Sequence, residues 1–119
     1  MSKHDPKVTL RQLTDYALRA QELCAQNDLP AILTDWQKRM AFERVMEIIG
    51  EAVKRLPSDL CQRYPAVPWK LIAGMRDRVS HGYDALDYGT LWDAVGDDLP
   101  GLLATVEQML QDLNSGEKE

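Results

Sequence analysis

What this sequence lacks narrows it quickly. Its two cysteines, Cys24 and Cys61, have no CxxC spacing and no second histidine nearby, so neither a zinc site nor a disulfide framework is indicated. No apolar run approaches the roughly 18 residues that a membrane-crossing helix needs. The polar start MSKHDPK has no signal-peptide core. The expectation is a cytoplasmic protein with reduced thiols and no membrane attachment. There is no internal repeat and no low-complexity tract. Strand signals are also missing, with no sustained alternation and no Asn-Gly or Asp-Gly turn. A net charge of −5 argues against a protein that coats nucleic acid nonspecifically.

What is there is helical punctuation and helical period. The 119 residues, 45% hydrophobic, suffice for one core and are expected to form one domain over 1–119. Asp5-Pro6 reads as an N-cap with a first-turn proline, and Leu10, Leu13, Ala17, Ala20 and Cys24 recur at steps of three and four, predicting a helix over 7–26. Asn27 to Pro30 breaks the pattern. Thr34 or Asp35 can cap a second helix whose apolar stripe, from Phe42 through Ile48 to Leu56, is wider than one core face needs, so part of it is expected to meet another chain. Pro57 ends that helix, and a loop is expected up to Pro68. A third helix carries Trp69, Ile72, Met75 and Val79 and stops near Gly82. A short helix surrounds Leu91 and Trp92, and Asp98 with Pro100 opens a last one through Leu103, Val106, Leu110 and Leu113. The predicted fold is all-α, an up-and-down bundle of four main helices plus the short fifth.

Charge is unevenly spread. From Lys54 to His81 six cations face only Asp59 and Asp77, a local balance of +4, while most of the acidity lies after Tyr83. A basic zone in an acidic body can hold a polyanion at one place and repel it elsewhere, although a solvated mixed surface would look the same.

Within that zone stands RDRVSHGYDALDY, residues 76–88, which gathers two arginines, a histidine and two tyrosines where the helical pattern gives out. Each has an ordinary structural account. Arg78 and His81 suit the negative end of a helix, Gly82 can follow its last turn, and Tyr83 and Tyr88 can bury their rings with bonded hydroxyls. On a straight helix Arg76 and Ser80 share a face, but His81 lies about 140° from Arg76 at roughly 100° per residue. The two cannot converge within one straight helix, so a bend or a second subunit is needed to bring guanidinium and imidazole together.

The spacing Arg76, four residues, His81, one residue, Tyr83 resembles the signature of HEPN ribonucleases of the HepT-like family, with Asp77 as the polar residue after the arginine. The flanks are similar too: Gly50-Glu51-Ala52 before Lys54-Arg55, Pro68-Trp69 ahead of the motif, and Asp87, Trp92 and Leu99-Pro100 after it. Coverage runs from about Phe42 to Leu113, whereas the N-terminal third matches only as a helix. The acidic stretch from Asp84 departs from the pattern without touching the motif.

The resemblance implies a toxin of a toxin-antitoxin pair. It would be a metal-independent, cofactor-free endoribonuclease acting as a homodimer, with paired Arg76 and His81 as catalytic residues. Asp77, Ser80 and Glu51 would support them, and Lys70 and Arg78 are candidates for RNA backbone contact. It also implies a partner antitoxin, a minimal (MntA-like) nucleotidyltransferase that attaches AMP to Tyr83. The residue types suit this chemistry. RNA supplies its own nucleophile, the 2′-hydroxyl, so cleavage needs a base, an acid and positive charge on the phosphate, which histidine and arginine provide. The alternative is a non-catalytic helical subunit that binds nucleotide or substrate for a nucleotidyltransferase. Trp69 and Trp92 sit at apolar helix positions and read as core rather than base-stacking platforms.

Overall fold

In the computed structural model, described over residues 5–81 and 87–118, every regular element is a helix. Ser80, His81, Glu117 and Lys118 are described by their helical backbone alone. The order is α1 (Pro6–Gln26), α2 (Leu29–Thr34), α3 (Trp36–Arg55), α4 (Ser58–Gln62), α5 (Trp69–His81), α6 (Tyr88–Asp97) and α7 (Leu99–Lys118). The four long helices and the short α6 are those expected. The expected end of the third helix near Gly82 lies outside the described residues.

Aspartates start most of these helices. Asp5 accepts from the Lys7 amide at 2.9 Å, with Pro6 in the first turn. Asp35, rather than Thr34, caps α3 by accepting from the Gln37 and Lys38 amides at 3.0 and 3.2 Å. Each carboxylate satisfies donors that the first helical turn leaves free. The same chemistry explains α2, which falls where the sequence reads as a break. Asp28 accepts from the Ala31 amide at 2.8 Å, so Asn27-Asp28 ends one helix and begins another. Likewise α4 occupies the stretch expected to be a loop. Pro57 is fixed in extended backbone just before it, and Leu60 is buried beneath it.

The core is continuous and centred on α3, which packs against α1, α2 and α5. Phe42, Met46, Ile49 and Ala52 are fully buried, with Val45, Val53 and Leu56 nearly so. Much of the width of the α3 stripe is used within the chain, while Trp36 and Met40 at its start stay exposed. Three neighbours, rather than one, need apolar surface from it. Ile48, half-buried, instead lines a groove of about 290 Å³ between α1 and α3 with Tyr16, Leu23 and Ala41. The inner row of α7 also differs from the one expected. Leu99, Leu102, Val106 and Met109 are buried, while Leu103, Leu110 and Leu113 are only partly covered. Apolar residues at both 102/103 and 109/110 make two adjacent rows, and contact with α1 and α6 selects the first.

Candidate active site

The site is positioned by one close approach. A Cβ on Gly50 would lie 2.5 Å from the Arg76 backbone nitrogen and 3.0 Å from the Ile72 carbonyl oxygen, so the backbones of α3 and α5 meet at a point that only glycine permits. The consequence is register. The last turns of α3, with Glu51, Lys54 and Arg55 spaced as neighbours on a helix surface, come to lie against Arg76 and Asp77 of α5.

A charged network results. Glu51 Oε2 lies 3.8 Å from Arg76 Nε, and Asp77 Oδ1 lies 3.4 Å from Arg76 Nη1. Both Asp77 oxygens also accept from Lys54 Nζ, at 3.1 and 2.9 Å. Arg55 donates to Glu51 at 3.4 Å and, through its other nitrogen, to Gln12 of α1. The Arg76 side chain is 41% exposed, so an incoming anion can reach a guanidinium that the protein already holds from two sides. Such a fork can present two parallel donors to a phosphate.

Of the residues singled out in the sequence, Arg76, Asp77 and Glu51 are brought together. Lys70 is exposed at the start of α5, beside a depression of about 480 Å³ that includes Cys61, Pro65 and Trp69, away from this network. Arg78, roughly 200° around the helix from Arg76, lines a cavity of about 310 Å³ with Thr90, Asp93, Asp97 and Asp98. Its surroundings are acidic. Ser80 and His81 belong to the last turn of α5, their side chains outside the description, and Tyr83 lies outside the described residues altogether. Sequence reading missed the partnership of Lys54 with Asp77 and the reach of Arg55 to Gln12. The spacing of Glu51, Lys54 and Arg55 gave a shared face, but nothing local said which helix that face meets.

Trp69 and Trp92 pack against the core as expected. Trp69 is half-buried with its indole donating to the Tyr64 carbonyl at 3.0 Å, and Trp92 is half-buried against the core. At the start of α6 two side chains make anchoring contacts. The Asp87 carboxylate accepts from the Thr90 amide at 3.1 Å and from the Thr90 hydroxyl at 2.6 Å, which holds its pKa below the usual carboxylate range. Next to it the Tyr88 hydroxyl donates to Glu43 of α3, and burial together with that bond pushes the phenol pKa up to about 12. Among the described residues no group of three or more metal-ligating side chains converges, and no helix is long and apolar enough to cross a membrane.

An exposed arginine braced by carboxylates near the end of an α-helix, in an all-helical bundle, defines a class rather than a single protein. The profile of the HepT-like family, described as ribonuclease HepT-like, matches residues 13–109. The chain belongs to the HepT-like ribonuclease family and is by class an endoribonuclease. It is 33% identical over 113 residues to a candidate RNase of Methanocaldococcus jannaschii, MJ0125, covering 95% of this chain and 97% of that one. It is similar to a probable ribonuclease HepT of Thermococcus cleftensis, 36% identical over 75% of this chain and 77% of the relative. A candidate RNase of Caldanaerobacter subterraneus subsp. tengcongensis, TTE0752, shares 45% identity over 60% of this chain and 63% of its own. No solved structure matches the chain significantly.

Proposed function

We propose that the chain is the RNA-cleaving toxin of a toxin-antitoxin pair, acting as a homodimer in which two copies each of Arg76 and His81 form one metal-independent site. The observation that carries this reading is Arg76 itself. It is half-exposed, braced by Glu51 and Asp77, and followed at the motif spacing by His81 on the same helix. In the reaction, one imidazole takes the proton of the 2′-hydroxyl, which attacks the adjacent phosphorus. The 5′-oxygen departs and takes a proton from the second imidazole, leaving a 2′,3′-cyclic phosphate. Arg76 donates to the non-bridging oxygens and counters the negative charge that accumulates on them. DNA lacks the nucleophile and is not a substrate.

Tyr83, two residues beyond His81, is the proposed acceptor of AMP from a nucleotidyltransferase antitoxin. A nucleotide there adds an anionic phosphodiester and a bulky nucleoside that compete with RNA for Arg76. The test is cleavage of an RNA oligonucleotide in the presence of chelator. Wild-type protein is expected to leave a cyclic phosphate end, and His81→Ala is expected to be inactive while its circular dichroism stays helical. Retained cleavage in that variant removes the assignment. Tyr83→Phe is expected to cleave RNA yet take up no AMP by mass spectrometry, and AMP still found on the motif would exclude Tyr83 as the acceptor.

A further inference from the structure

The contacts of Asp77 with both Lys54 and Arg76 carry an inference about Lys54. Two carboxylates flank the Arg76 guanidinium, and a guanidinium fully engaged by both would have its charge cancelled and its donors occupied. Neither contact is short, at 3.8 Å to Glu51 and 3.4 Å to Asp77. The tighter partner of Asp77 is Lys54, whose ammonium reaches both carboxylate oxygens across the α3–α5 contact. We infer that Lys54 is a positioning residue for RNA cleavage. By occupying Asp77 it keeps that carboxylate from clamping Arg76 and so leaves the guanidinium free to take the substrate phosphate. The inference rests on the ribonuclease reading given above.

Stability does not explain the arrangement. Lys54 and Asp77 are 40% and 51% exposed, and a pair so open to water contributes little to folding. Its effect is instead on the competition at Arg76. With Lys54 present, the ammonium competes with Arg76 for the Asp77 carboxylate. With Lys54 removed, that competitor of the Arg76 contact is lost. The contact tightens, and RNA must break it before binding productively.

A double-mutant cycle tests this against the simpler idea that Lys54 touches RNA directly. Lys54→Gln, Asp77→Asn, the double variant and Lys54→Arg are compared with wild type in single-turnover RNA cleavage, with melting temperatures recorded for each. Lys54→Gln is expected to lower cleavage about tenfold or more, with a melting shift within about 2 °C, and Lys54→Arg to restore most of the rate. In the Asp77→Asn background the same Lys54→Gln change is expected to cost less than about threefold, because the competing carboxylate is gone. Equal losses in both backgrounds would overturn the inference and make Lys54 a direct phosphate contact, and no loss in either would overturn it as well. A wild-type protein that cleaves no RNA would refute the ribonuclease reading and this inference with it, a result distinct from either outcome in an active enzyme.

Discussion

Asp87 shows how a single side chain links the motif to the fold. Its two bonds to Thr90 stabilise the carboxylate form, so its folded pKa is depressed. The stabilisation is present above the ordinary carboxylate pKa of about 3.9 and is lost as pH falls through the lower folded value. Asn can make the same cap without titrating. Asp87→Asn should therefore melt like wild type at neutral pH and lose less stability below about pH 4, which thermal scans across pH would read. The opposite sign holds for Tyr88. Its raised pKa favours the neutral phenol, a contribution present below about pH 10 and lost as pH rises through about 12. Burial likewise pushes the Cys24 thiol up to about 11. Its alkylation by iodoacetamide at pH 8 should be at least about tenfold slower than that of a free thiol and keep accelerating well above the pH where a free thiol levels off. A rate that plateaus near pH 9 would contradict the burial that the helices impose.

At the scale of the helix pair, Gly50 is the critical residue. An alanine there would put a methyl 2.5 Å from the Arg76 backbone nitrogen, and backbone cannot swing aside as a flexible side chain can. Gly50→Ala should cost about 3 kcal/mol or more by urea unfolding, as overpacking at a fixed contact does. It should also reduce cleavage in whatever fraction stays folded, since α3 and α5 must separate. Period and caps made most of the fold legible. Leu10, Leu13, Ala17 and Ala20 face inward as spaced, and Asp5 and Asp35 start their helices. What escaped was decided by contacts between helices. Nothing local distinguishes the buried row of α7 from the adjacent one, and α2 and α4 are too short to show a period. The site divides in the same way. Arg76, Asp77 and Glu51 were legible from motif and flanks, whereas the hold of Lys54 on Asp77 depends on a helix crossing that a linear pattern does not encode.

Over the whole molecule, shape and charge act together. The bundle is elongated, 52 × 27 × 23 Å, with the cations of Lys54 to His81 placed on α3, the α4 region and α5, and most of the acidity beyond Tyr83. RNA bound through a few phosphates should weaken log-linearly with salt, and anisotropy titrations of an inactive variant such as His81→Ala should show it. Photo-crosslinks are expected in α3 and α5 and scarce in α6 and α7. Sedimentation should give twice the chain's mass if the site is shared between copies, and a monomer that still cleaves RNA would exclude sharing. One helix also sets where the motif can reach. α5 is fitted to α3 at Gly50, and α6 is tied to α3 by Tyr88 and Glu43, so both ends of residues 82–86 are measured from the same rod. Adding or deleting a turn of α3 between Glu43 and Gly50 would shift the end of α5 against the start of α6. The span that residues 82–86 must cover is thus set by the length of α3 between its two contacts.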